Sequence, residues 1–156
     1  EQEPETSDAI PAEAAWTLIE NFCLTCAATE RSRRFYYQQY ATFQNHGYMG
    51  LYGGLTAKDI HDRKGLKKSQ KILDHMGYEE LAANLFRATQ TEAKLRRENT
   101  HGKEQANQTH YDVGKEVRST IERLGGTMPE DLPTPQKSIQ QIEREQRKEL
   151  ESKKKD

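Results

Sequence analysis

YEELAANLFRATQTEAKLRRENTHGKEQANQTHYDVGKEVRSTIERL, residues 78–124, decides the fold. Its apolar residues recur at steps of three and four, the period of a helix with one face turned to a core. Over 78–98 that face is Leu81, Ala82, Leu85, Phe86, Ala88 and Leu95. Over 104–124 it is Ala106, His110, Val113, Val117, Ile121 and Leu124. The polar stretch from Asn99 to Lys103 joins them, so the spacing predicts a helical hairpin. Glu79 and Glu80 suit the positive end of the first helix. Gly125-Gly126 ends the second. Nothing in the chain alternates with period two for long enough to make a strand. The expected class is all-α: a small helical bundle with a glycine-rich loop and flexible termini.

Upstream, Thr56 reads as an N-cap with Asp59 three places on, a capping-box arrangement. A short helix from Ala57 to Arg63 should stop at Gly65, and another from Lys67 to His75 should stop at Gly77. Residues 44–54 read QNHGYMGLYGG, and four glycines in eight residues predict a loop, packed by Tyr48, Leu51 and Tyr52. Further back, Ala14, Ala15, Leu18, Ile19, Phe22, Cys23 and Cys26 form a helical stripe within Ala12 to about Arg34. Phe35, Tyr36, Tyr37 and Tyr40 then break the pattern. Residues 1–12 are acidic, with Pro4 and Pro11, and suggest a flexible lead-in. Downstream, Pro129, Pro133 and Pro135 predict an extended segment. The charged tail from Gln136 predicts a solvated, fraying helix with Ile139, Ile142 and Leu150 as its apolar positions. This divides the chain into 1–40, a helical domain over 41–135, and the tail 136–156.

Hydrophobic residues make up 33% of the chain and charged ones 31%, so the core must be small. A net charge of -1 gives no overall pull toward nucleic acid or membrane. The charge is local instead. Residues 56–75 carry six bases (Lys58, Arg63, Lys64, Lys67, Lys68, Lys71) against three acids (Asp59, Asp62, Asp74). Two cysteines make no disulfide framework, and no apolar run is long enough to cross a bilayer. The expectation is a cytoplasmic protein, free or associated with the nucleoid, with no membrane contact; its oligomeric state is open.

Residues 55–77 are the most suggestive chemically. Two short helices around a glycine turn resemble a helix-turn-helix. Ser69, Gln70 and Lys71 would then face bases, while Lys58, Arg63, Lys64, Lys67 and Lys68 would meet phosphates. His61 stands where such motifs carry a small residue, and the apolar anchor Ile72 falls one place late. A hairpin with solvated lysines is the plainer reading. Cys23 and Cys26 have the spacing of half a zinc site, but no second pair of ligands follows. His110 reads as a buried histidine with one hydrogen bond. Glu79-Glu80 reads as a helix-start device and Glu130-Asp131 as a solvated turn. There is no phosphate loop, nucleophile elbow or triad order, hence no enzyme, cofactor or metal is expected.

Five blocks in order carry a resemblance: ATFQNHGYMGLYGGL (Ala41 to Leu55), DIHDRKGLKKSQKILDHMG (Asp59 to Gly77), ELAANLFRATQTE (Glu80 to Glu92), HYDVGKEVR (His110 to Arg118) and LGGTMPEDLPTPQ (Leu124 to Gln136). They resemble the C-terminal region of the DNA-damage-inducible protein D (DinD) family. A weaker likeness reaches the C-terminal regions of phage antirepressors and BRO-family proteins, through Thr56 to Ile60, Thr89 to Glu92 and Gly114 to Arg118. The resemblance implies a bacterial, non-enzymatic regulator of the SOS response. It would act through protein or DNA contacts, with a recombinase filament or another DNA-repair protein as partner. Residues 16–40 depart from the charged helix that the family would place there, through divergence or a reading-frame error.

Overall fold

The structure is a computed structural model that describes residues 30–154 except 101, with side chains from residue 39 onward. The Cys23/Cys26 pair and the 12–26 stripe lie outside the described residues. The elements are α1 (Glu30–Leu51), α2 (Ala57–Arg63), a 3-10 turn η1 (Ile72–His75), α3 (Tyr78–Arg97), α4 (Lys103–Arg123), a second 3-10 turn η2 (Pro129–Asp131) and α5 (Ile139–Lys153). No strand occurs among the described residues, and the class is all-α.

The hairpin forms as the spacing predicts, with α3 and α4 starting and ending within a residue of expectation. Its turn is closed by Asn99 at φ 51, with the Thr100 amide donating back to Leu95 O at 3.0 Å. Gly125, at φ 73, ends α4 in the same way. The capping box at α2 is present on both sides: Thr56 accepts from the Asp59 amide, and Asp59 accepts from the Thr56 amide at 3.0 Å. At α5, Ser138 and Gln141 repeat the device.

The glycine-rich stretch is not a loop. α1 continues through Gly47 and Gly50 to Leu51, and only residues 52–54 turn. These glycines let two helices meet almost backbone to backbone. A Cβ at Gly50 would lie 2.2 Å from Tyr111 O, and one at Gly114 would lie 2.7 Å from Gly47 O. Phe43 meets His110, Gly47 meets Gly114 and Leu51 meets Arg118, so α1 and α4 run parallel with a constant offset. α3 runs antiparallel to both, placing Arg87 over Tyr48 and Glu80 beside Tyr52.

The core is Tyr48, Leu51, Tyr52, Ile60, Met76 and Val117, with Ile72, Leu73, Leu81, Ala83 and Ile121 packed around it. Each large side chain buried here contributes roughly 1.5–3 kcal/mol relative to exposure. The buried stripe of α3 differs from the apolar one. Glu80, Asn84, Arg87, Ala88, Thr91 and Leu95 are inside, while Ala82 and Phe86 face out. Leu124 is also exposed, since it caps α4 after the last packed turn. The expected helix from Lys67 to His75 is a turn followed by η1. His61 explains this: its Nε2 faces the carbonyls of Lys67 (3.1 Å) and Gln70 (3.0 Å), tying the turn to α2.

Candidate functional site

With no helix over 67–71, the described segment has no recognition helix to present Ser69, Gln70 and Lys71 to a groove. The predicted site residues divide between ion pairs and open surface. Lys58 is exposed and 3.5 Å from Asp62. Arg63 donates to Glu130 O (2.9 Å) and to Asp131 (3.1 Å). Lys64 is buried, donating to Glu80 Oε2 at 2.8 Å and to His75 O at 3.3 Å. The side chain of Gln70 accepts from the Lys67 amide at 2.7 Å. Lys67, Lys68, Ser69 and Lys71 are exposed.

Lys64 leads into a buried polar network. Tyr52 donates to Glu80 Oε1 at 2.6 Å, and Asn84 Nδ2 donates to the Tyr52 hydroxyl at 2.9 Å and to Glu80 O at 3.0 Å. Arg87 donates to Asn84 Oδ1 at 3.1 Å and reaches His110 Nε2. His110 Nδ1 lies 2.8 Å from Phe43 O. Burial, then the charge of Arg87, pushes His110 well below its ordinary pKa, so the ring is neutral. The neutral tautomer that fits donates from Nδ1 to Phe43 and accepts Arg87 at Nε2. His110 is buried as expected, with a second partner. Glu80 is more than a helix-start device: it accepts from both Lys64 and Tyr52 while 1% exposed.

Glu130-Asp131 is likewise not a free turn. Arg118 grips Glu130 with two bonds, of 2.7 and 2.8 Å, and also donates to Leu51 O at 3.0 Å. With the Arg63–Asp131 pair, this straps residues 127–134 across the end of the bundle. Burial alone would raise the Glu130 pKa, but hydrogen bonds from Arg118 hold it below the usual carboxylate value.

Beside the strap, α3 and α4 leave an open apolar groove of about 330 Å³. Ala83, Phe86, Val117, Ile121, Pro129 and Leu132 line it, and Glu79 stands at its edge. Phe86 is 54% exposed. Its place was hidden because Phe86 sat among the residues read as core-facing. A hydropathy count cannot separate an apolar residue facing the core from one facing a groove. Among the described residues no cluster of His, Cys, Asp and Glu is placed to hold a metal ion, and no helix is long and apolar enough to cross a membrane.

A parallel glycine-packed pair of helices (α1 and α4) with α3 antiparallel to both, a buried Lys–Glu–Tyr–Asn–Arg network and a proline strap define the class. The DinD C-terminal domain family matches residues 20–142, so the chain belongs to that family. That match takes in much of the divergent 16–40 stretch. The chain is also 72% identical over 104 residues to DNA damage-inducible protein D of Escherichia coli (strain K12). The shared stretch is 67% of this chain and spans 38% of that relative's length. No solved structure matches the chain.

Proposed function

We infer that the chain is the protein-docking part of a DNA-damage response regulator, acting in the cytoplasm without catalysis of its own. The observation that carries this reading is the groove between α3 and α4. It is apolar and open, and Phe86 stands half out of it, a concave surface of the kind that receives the apolar face of a partner helix. A protein of the DNA-repair machinery, a recombinase filament among them, is the class of partner we propose on the strength of the family resemblance.

A second reading keeps DNA as a ligand. Lys67, Lys68 and Lys71 are exposed within five residues and could meet phosphates without reading bases. Lys64 cannot join them while it is buried against Glu80. A salt titration of binding to short duplex DNA separates the readings. Phosphate contact by three lysines gives a log–log slope of about -2.7 that Lys→Glu changes at those positions abolish. The docking reading expects no saturable binding at low salt. It also expects a pull-down from damaged cells to recover a defined partner that Phe86→Glu loses and the triple lysine variant retains. Recovery unaffected by Phe86→Glu would overturn it.

A further inference from the structure

Among the described residues, the interior holds one more positive charge than it matches. Lys64, Glu80 and Arg87 are all closed off from solvent, with Glu80 1% and Arg87 2% exposed. Lys64 and Glu80 neutralise each other at 2.8 Å. Among the described residues, Arg87 meets no carboxylate. Its Nη2 donates to the neutral Asn84 amide, its Nη1 meets the neutral His110 ring, and its guanidinium carbon lies 4.7 Å over Tyr48. A lysine or histidine in such a place escapes the burial penalty by losing its proton, but a guanidinium does not. The charge therefore stays in a medium where it is poorly screened.

Among the described residues, two donors of the α1–α3 seam have no partner: Arg87 Nε and Gln44 Nε2. Both belong to side chains that are nine-tenths buried or more, Gln44 being 5% exposed. They share one stretch of the seam. Arg87 covers the Tyr48 ring, and Gln44 precedes Tyr48 by one helical turn on α1. Buried N–H groups rarely go unpaired in a folded chain, and here two lie beside an uncompensated cation.

We propose that the α1–α3 seam binds a small monovalent anion of chloride size, held by Arg87 Nε and Gln44 Nε2 beside Tyr48. A water molecule would satisfy the donors but not the charge; an anion does both. Bound there, it fastens the half of α1 before Gly47 to α3, independently of anything docked in the α3–α4 groove.

The test uses the whole chain. Thermal unfolding is followed by circular dichroism at fixed ionic strength while chloride replaces gluconate. Once chloride exceeds its Kd about tenfold, the Tm should rise by about 4 °C. Arg87→Met should lose that dependence and supply the baseline for general salt effects. Because that variant can fail to fold, Gln44→Leu gives a milder arm, with a weakened chloride response in a folded chain. A bromide-soaked crystal should show an anomalous peak between Arg87 Nε and Gln44 Nε2. Equal Tm values in the two salts, or bromide at surface lysines alone and so an adventitious ion only, would each overturn the proposal.

Discussion

α1 packs against two helices by opposite means. Against α4 it uses glycine, and the gap is so narrow that main chain meets main chain at Gly47, Gly50 and Gly114. Against α3 it uses long polar side chains, Tyr48 and Tyr52 facing Arg87, Asn84 and Glu80. The first seam is fixed by the absence of atoms and the second by hydrogen bonds between long side chains. One should therefore fail on the smallest addition, and the other only when a partner is removed without its mate.

The largest effect belongs to the glycine seam. Gly50→Ala puts a Cβ 2.2 Å from Tyr111 O and 3.0 Å from Lys115 N, both backbone atoms that cannot swing aside. Overpacking against an immovable neighbour should cost about 3–4 kcal/mol, or prevent folding, in urea denaturation. Gly102→Ala is the control, since the nearest neighbour of its Cβ is at 3.9 Å. That variant should stay within about 0.5 kcal/mol of the parent. If the two variants behaved alike, the close approach would not be what holds α1 to α4.

Glu80→Gln comes next. It leaves Lys64 buried without its counter-charge and should cost about 3 kcal/mol. The combination Lys64→Met, Tyr52→Phe and Glu80→Leu removes the ionic trio together and should recover most of that loss. The same denaturation series reads both. A combined variant as unstable as Glu80→Gln would mean that the polar seam is no more replaceable than the glycine one.

The two seams also differ in how far the sequence reveals them. Helix ends and the hairpin were legible, because caps and turn residues act locally: Thr56 with Asp59, Gly65, and Gly125 all sit where local chemistry puts them. Gly47 and Gly50 misled, because glycine marks both a loop and a close helix contact, and only the partner Gly114, more than sixty residues on, distinguishes them. Glu80, Asn84 and Arg87 misled in the other direction. Their types belong outside until long-range partners are known, so hydropathy alone assigns the buried face to the apolar residues beside them. Part of the candidate basic segment is engaged within the fold for a related reason. Arg63 and Lys64 are consumed by Asp131 and Glu80, partners that no local pattern announces.

The strap tests a third kind of contact, partly exposed and charged. Glu130 has a folded pKa held below its ordinary value of 4.5, so its pairing with Arg118 stabilises the fold fully above that value. The contribution should fade as pH falls through the lower folded pKa, releasing residues 127–134 before the hairpin melts. Glu130→Gln should cost about 1–2 kcal/mol at neutral pH and remove the acid-dependent step. Amide exchange across the strap between neutral pH and about pH 3 reads this directly. Protection that is flat with pH in the parent would show that the Arg118 grip does not hold the strap.

The smallest effect on stability should come from Phe86, and its smallness is what gives it meaning. Phe86 lies on the face of α3 away from the polar seam, half exposed, so Phe86→Ser removes only the buried half of the ring. The expected change is about 1 kcal/mol, well below what a core phenylalanine costs on truncation. A loss of about 3 kcal/mol or more would place Phe86 in the core and make the groove a packing feature rather than a surface. With the fold retained, any loss of partner recovery must arise at the groove itself. A side chain this large at that position then serves recognition and not folding, which neither of the two seams of α1 can offer.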